Sequence, residues 1–167
     1  MDKLLEAYSG DKARGYDARR SQSKRWKREV AAMEGMLAAI RPATVLDCPF
    51  GTGRWVEQYE AIGASVTGVD LSQGMLDEAA AKIATLPTDR RSAYVLRCAS
   101  IFDLAPAPGP APELAVCIRF LNWVPFADAE RALERLTALG SPAMIIGASL
   151  VPDDAGPLRR LWYRLSL

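Results

Sequence analysis

The chain contains no histidine in 167 residues. That absence removes Ser-His-Asp and Cys-His nucleophilic catalysis, and with them every zinc site that uses an imidazole. Proton transfer, where any is needed, falls to carboxylates, tyrosine, cysteine, lysine or water. Cysteine is sparse: Cys48, Cys98 and Cys117 are an odd number at wide spacing, with no CxxC pair. They form neither a disulfide framework nor a thiolate metal site, and they read as reduced, buried thiols. No apolar run approaches the roughly 20 residues that cross a bilayer. The opening stretch MDKLLEAYSGDKARGYD is too polar for a secretory signal, so a cytoplasmic protein is expected. An excess of one charge is missing too, since 21 Lys and Arg face 20 Asp and Glu for a net charge of +1. With 50% hydrophobic and 25% charged residues the composition is that of an ordinary globular protein, and the length suits one domain over 1–167.

What is present is an alternation of helical and strand patterns. Over 23–40 the residues Trp26, Val30, Met33, Leu37 and Ile40 recur at steps of four and three, one face of a helix that Pro42 ends. ATVLD (43–47) follows as a strand, then a glycine-bearing turn, a helical stretch over about 54–62, and Gly63 as its stop. ASVTGVD (64–70) is a second strand, after which Ser72 caps a helix with Met75, Leu76, Ala79 and Ile83 on its inner face. AYVLRC (93–98), LAVCI (114–118) and AMIIGASLV (143–151) are three further strands. A helix over 128–139 with Leu133, Leu136 and Leu139 inward separates the last two. The crossover LAPAPGPAP (104–112) is too rich in proline for a helix and is expected to be irregular. Apolar strands alternating with amphipathic helices argue for an α/β fold, a mostly parallel sheet of five strands with helices on both faces.

In such sheets ligands lie beyond the carboxyl ends of the strands, where strand order reverses. After the first strand stand Asp47-Cys48-Pro49-Phe50-Gly51-Thr52-Gly53, whose glycines allow a sharp turn and a ligand against the main chain. After the second stands Asp70, 23 residues beyond Asp47, where a carboxylate can accept both hydroxyl hydrogens of a ribose. Alone, the glycine pair is a tight turn and the aspartate a cap. In this order and spacing they point to a nucleoside-bearing cofactor. The dinucleotide pattern GxGxxG fails, because Arg54-Trp55-Val56 follows Gly53.

VLDCPFGTGRW resembles the first motif of class I S-adenosylmethionine-dependent methyltransferases, commonly VLDxGxGTG, and VTGVDLSQGMLDEA resembles the second, commonly VxGxDxSxxMLxxA. The resemblance runs from Val45 to about Leu150. It implies a three-layer, Rossmann-like open sheet, S-adenosylmethionine as cofactor, S-adenosylhomocysteine as product, and a small-molecule acceptor. It also implies roles for residues. Asp47 meets the amino-acid end of the cofactor, directly or through water, and Gly51 and Gly53 give that end room. Asp70 binds the ribose hydroxyls, Leu71 packs on the adenine with Met75 nearby, and Ser100 and Ile101 line the adenine edge. Cys117 and Arg119, with Ile118 and Phe120, lie under the methionine arm. No catalytic residue is singled out, and no metal site is expected.

The chain departs from the family pattern in several places. Pro49 stands where the first motif glycine is usual and Phe50 where a small residue is common, so the loop has one amide donor fewer. CIRFLNWVP lacks the Asn/Asp-Pro-Pro-aromatic signature of enzymes that methylate base amino groups. Arg119 in that segment either faces an anionic group of cofactor or substrate or pairs with a carboxylate at the rim. Trp123 reads as core, with a lid as the alternative. The stretch 12–28 holds eight Lys or Arg against one acidic residue. It reads as a solvated helix face, and no nucleic-acid partner is expected. Residues 1–41 are read as a helical leader with Tyr16, Arg25 and Trp26 as lid candidates. The family usually adds two strands after the fifth, whereas here a turn leads to LRRLWYRLSL (158–167), read as a last helix. A short sheet leaves the fifth strand as an edge, which invites self-association. The leading functional reading is methyl transfer, an in-line displacement at an activated sulfonium that a histidine-free site can support by alignment and exclusion of water. The alternatives are an enzyme that cleaves S-adenosylmethionine itself and a catalytically silent binding module.

Overall fold

The computed structural model describes residues 24–148. Tyr16, the first part of the basic stretch and the expected helix over 158–167 lie outside them. Among the described residues five strands form one sheet: β1 (Thr44–Asp47), β2 (Ser65–Asp70), β3 (Tyr94–Cys98), β4 (Leu114–Ile118) and β5 (Ala143–Gly147). Their order is β3-β2-β1-β4-β5, and every pairing is parallel. The helices are α1 (Lys24–Ile40), α2 (Val56–Ile62), α3 (Gln73–Ile83), the single turn α4 (Thr88–Arg91) and α5 (Phe126–Ala138). Short 3-10 turns follow β3 at Ile101–Asp103 and β4 at Leu121–Trp123.

Local chemistry sets the boundaries. Gly63 closes α2 in the left-handed region at φ 69°, and Ser72 opens α3 by accepting the Met75 N–H at 3.3 Å. The segment 104–113 crosses from β3 to β4 without a helix, as its prolines require.

The strands separate two cores by their two-residue period. Val45, Leu114 and Val116 face Met33, Leu37, Val56, Tyr59, Leu76 and Ile83, which come from α1, α2 and α3. Leu46, Val69, Ala115 and Cys117 face Ala132, Leu136 and Leu139 of the α5 segment with Ile101 and Leu104. A leucine such as Leu136, fully buried, contributes about 2 kcal/mol by leaving water. This two-faced burial is why the central strands are apolar throughout.

Several expectations need correction. The inner line of α5 is Ala132, Leu136 and Leu139 rather than Leu133, because a small side chain is what lets that helix lie close to the sheet. The helix also starts two residues earlier than its pattern indicates, at Phe126. Ile40 at the end of α1 is exposed, the helix having passed beyond the sheet's cover. Trp123 is 37% exposed and is not core, since the 3-10 turn carries it past the end of β4. Cys98 is exposed, while Cys48 and Cys117 are buried as expected. Among the described residues no helix is long and apolar enough to cross a membrane.

Candidate cofactor site

The chain runs β1, β2, β3 toward one edge and then β4, β5 toward the other, so strand order reverses between β1 and β4. The loop from Cys48 to Trp55 is built across that reversal. The Cys48 N–H donates to Val116 O at 2.9 Å and the Phe50 N–H to Val69 O at 2.9 Å, tying the loop to both neighbours of β1. The Cys48–Pro49 peptide is cis. Gly51 and Gly53 have φ of 59° and 68°, where other residues are strained, and a side chain added at Gly51 would meet nothing within 4 Å. The Phe50 ring turns inward over Gly68 of β2, where an added Cβ would lie 2.6 Å from it. The bulky residue of the first motif therefore fills the core, and the glycine opposite makes room for it.

Asp70 ends β2, almost fully buried. Its Oδ2 accepts the Gly51 N–H at 2.7 Å and its Oδ1 the Ser72 N–H at 2.9 Å. Burial raises its pKa while these amides and that of Leu71 oppose the rise. These amides use part of the roughly four lone-pair positions of the carboxylate and leave it capacity for a ribose hydroxyl. Asp47 ends β1, buried, and its Oδ2 accepts the Tyr59 hydroxyl from α2 at 2.9 Å. Loss of water pushes its carboxyl up to about 8, with the Tyr59 hydrogen bond opposing and Asp70 adding to the rise. Beside it, burial drives the Cys117 thiol up to about 12 and Cys48 well above its ordinary value, so both stay protonated and are not nucleophiles at neutral pH.

A second charge cluster closes one side. Glu29 of α1 pairs with Arg25 at 2.8 Å, with Arg54 of the first loop at 2.6 Å and with Arg119 beyond β4 at 2.8 Å. Arg54 lies between the Trp26 and Trp55 rings, 3.7 and 4.1 Å from their centroids. Burial alone would raise the Glu29 pKa, but the three guanidinium groups outweigh it and hold it at about 2. Arg119 has φ 63°, a left-handed conformation that only a few per cent of non-glycine residues adopt. Of its two readings, the rim carboxylate is the one observed.

The site residues expected from sequence fall into three groups. Asp47, Gly51, Gly53 and Asp70 come together at the reversal point, linked by the Gly51–Asp70 hydrogen bond. Cys117 borders Asp47 from β4, buried, and Arg119 is turned toward Glu29. Leu71 is exposed next to Asp70, whereas Met75 is buried in the first turn of α3. Ser100 caps the 3-10 turn by accepting the Phe102 N–H at 3.2 Å, and Ile101 is buried in the second core. Tyr59 and Glu29 were not foreseen. A tyrosine on an inner helix face signals only that its hydroxyl needs a partner, and nothing in sequence pairs Glu29 with an arginine 90 residues away.

An open parallel sheet with a glycine loop and a buried acidic residue at its reversal point defines a Rossmann-like domain for a nucleoside cofactor. Residues 45–142 match the methyltransferase domain family. That span is more than half of the chain, which therefore belongs to this family: it is a class I methyltransferase with S-adenosylmethionine as cofactor. Among solved structures it is similar to magnesium protoporphyrin IX methyltransferase from Synechocystis PCC 6803 with bound S-adenosylmethionine, at 19% identity and a TM-score of 0.69, covering 99% of this chain and 84% of that one. It is also similar to the methyltransferase domain of bacterial CtHen1 (20% identity, TM-score 0.60, 71% and 63% covered). A third likeness is to the glycopeptide N-methyltransferase MtfA with sinefungin (20%, 0.56, 65% and 48%). At these identities the likeness is one of fold. No curated protein matches the chain by sequence. The residues present fit the cofactor, because Asp70 keeps free acceptor capacity and Gly51 borders open space.

Proposed function

We propose that the chain transfers a methyl group to a small-molecule acceptor, binding S-adenosylmethionine across the carboxyl ends of β1, β2 and β4. The observation that carries the reading is the Gly51–Asp70 hydrogen bond of 2.7 Å, which couples the glycine loop to the carboxylate while leaving the latter acceptor capacity for the ribose. In this reading Asp47 receives the ammonium group of the cofactor's amino-acid end, and Gly51 and Gly53 admit that end against the main chain. Leu71 and Met75, with Ser100 and Ile101, border the adenine, and Cys117 and Arg119 border the methionine arm. The bound cofactor supplies an activated sulfonium methyl, so the protein's part is alignment and exclusion of water. The exposed Trp123 and Phe126 beyond β4 offer an apolar rim to the acceptor.

Calorimetric titration with S-adenosylmethionine and S-adenosylhomocysteine tests the site. Micromolar binding, on the order of −8 kcal/mol, is expected for the native chain, with its loss in Asp70→Ala. Unchanged binding in that variant would overturn the assignment of Asp70. Self-association through β5 belongs to the same proposal. Among the described residues β5 pairs with β4 alone, and Met144 and Ile146 on it are exposed. Light scattering at tens of micromolar should give the mass of a dimer or larger, and a monomer's mass would remove this part. A cytoplasmic location, the setting in which three unpaired thiols stay reduced, completes the proposal.

A further inference from the structure

The Tyr59 hydroxyl has no packing reason to exist. Its ring is fully buried in the core formed by α1, α2 and α3 on β1, among apolar and aromatic side chains that ask only for its ring. The hydroxyl lies 2.9 Å from Asp47 Oδ2, and both residues are almost fully buried. We propose that Tyr59 is a positioning residue for the cofactor: its hydroxyl fixes Oδ2 of Asp47 and leaves the other oxygen, Oδ1, as the acceptor for the cofactor's ammonium group. This rests on the assignment of Asp47 to the amino-acid end.

The surroundings of Asp47 give the hydroxyl its weight. From β2 Asp70 adds negative charge, and from β4 Cys117 adds a protonated thiol, as does Cys48 next along the chain. Tyr94 of β3 reaches Tyr59 but donates its own hydroxyl to Glu60 at 2.8 Å. Among the groups that act on Asp47, Tyr59 is the one that favours the ionised carboxylate. With the carboxyl pushed up to about 8, the free protein holds Asp47 mostly protonated at neutral pH. Binding an ammonium group selects the ionised form, so a proton leaves Asp47 as the cofactor enters and affinity falls as pH is lowered. A tyrosine that donates to the ionised oxygen reduces that loss, because hydrogen bonds to charged groups are the stronger ones.

The test compares two ligands on the full chain: S-adenosylhomocysteine, which carries the amino-acid end, and 5′-methylthioadenosine, which lacks it. Calorimetry near neutral pH is expected to show Tyr59→Phe weakening S-adenosylhomocysteine roughly tenfold, with the steep part of its pH profile moved to higher pH and 5′-methylthioadenosine unaffected. Equal weakening of both ligands would mean a merely structural role and overturn the proposal. Asp47→Asn separates the two levels of the argument. If it leaves S-adenosylhomocysteine binding and its pH profile intact, the assignment of Asp47 fails. If it weakens binding while Tyr59→Phe does nothing, only the role of Tyr59 fails. In the double variant Tyr59→Phe should add nothing to the loss from Asp47→Asn, and a further loss would again overturn the proposal. Replacing Tyr59 with a ring-fluorinated tyrosine, whose more acidic hydroxyl is the stronger donor, should tighten S-adenosylhomocysteine alone. No tightening counts against the proposal, and this variant keeps the test available if Tyr59→Phe does not fold.

Discussion

The floor of the crevice and its amino-terminal cover each hold a carboxylate fully or partly withdrawn from water, and the two respond in opposite ways. Burial acts in the same direction on both. Asp47 in the floor meets a neutral hydroxyl and another carboxylate, and its carboxyl rises to about 8. Glu29 in the cover meets three arginines, and its carboxyl falls to about 2. The floor is thus a place where negative charge is costly until a cation arrives, and the cover a place where charge is already compensated. Partner identity, rather than depth, decides the sign.

The largest expected effect tests how tightly the floor is packed. Gly68→Ala places a methyl group 2.6 Å from the Phe50 ring and should destabilise by about 3 kcal/mol in urea unfolding. Combining it with Phe50→Ala should recover part of that loss, and additive losses would mean that the ring and the glycine are not coupled.

Next comes the cover, where Glu29→Gln leaves Arg54 and Arg119 facing each other without the shared anion. A cost of about 2 kcal/mol is expected, reduced from that of a fully buried pair because Glu29 keeps some contact with solvent. The folded pKa of Glu29 lies below its ordinary value of 4.5, so its contribution is fully present above that value and is lost as pH falls toward about 2. Acid titration of native and variant stability should therefore converge at the low end.

The floor should show the reverse. Asp47 has a folded pKa above its ordinary value of 3.8, so its contribution is best below that value and is lost as pH rises toward about 8. Asp47→Asn keeps an oxygen for Tyr59 and carries no charge. It should stabilise the free protein near neutral pH by about 1 kcal/mol, while weakening cofactor binding, a trade between stability and function. A destabilised Asp47→Asn would break the contrast. The smallest effect belongs to the outermost pair of the cover, where Arg25→Ala should cost about 0.3 kcal/mol and less in high salt, Arg25 being mostly exposed.

The floor was far more legible in sequence than the cover. The run from Val45 to Asp70 placed β1, the glycine loop, α2 and β2 within two residues, because a glycine at positive φ and a carboxylate at a strand end are local requirements written into neighbouring positions. Ser72 as the cap of α3 and the irregular crossover after Leu104 were readable for the same reason. Apolar periodicity favours Leu133 over Ala132 because it weighs side-chain size, whereas a helix packed on a sheet selects whatever fits its line of contact. The aromatic character of Trp123 favours the core, and a 3-10 turn places it outward.

The sequence by itself determined the class of this protein: a parallel sheet, a glycine loop after the first strand, an acidic residue after the second, and a cofactor bearing a nucleoside. Those features rest on backbone conformation and on residues a few positions apart. Only the tertiary structure decided which charges are compensated. It joined Glu29 to Arg119 across 90 residues, turned Phe50 onto Gly68, and set the Tyr59 hydroxyl on Asp47. The physical reason is that the energy of a carboxylate depends on the groups within a few ångströms of it, and for Glu29 two of its three arginines, Arg54 and Arg119, become neighbours only when distant segments pack on the same end of the sheet.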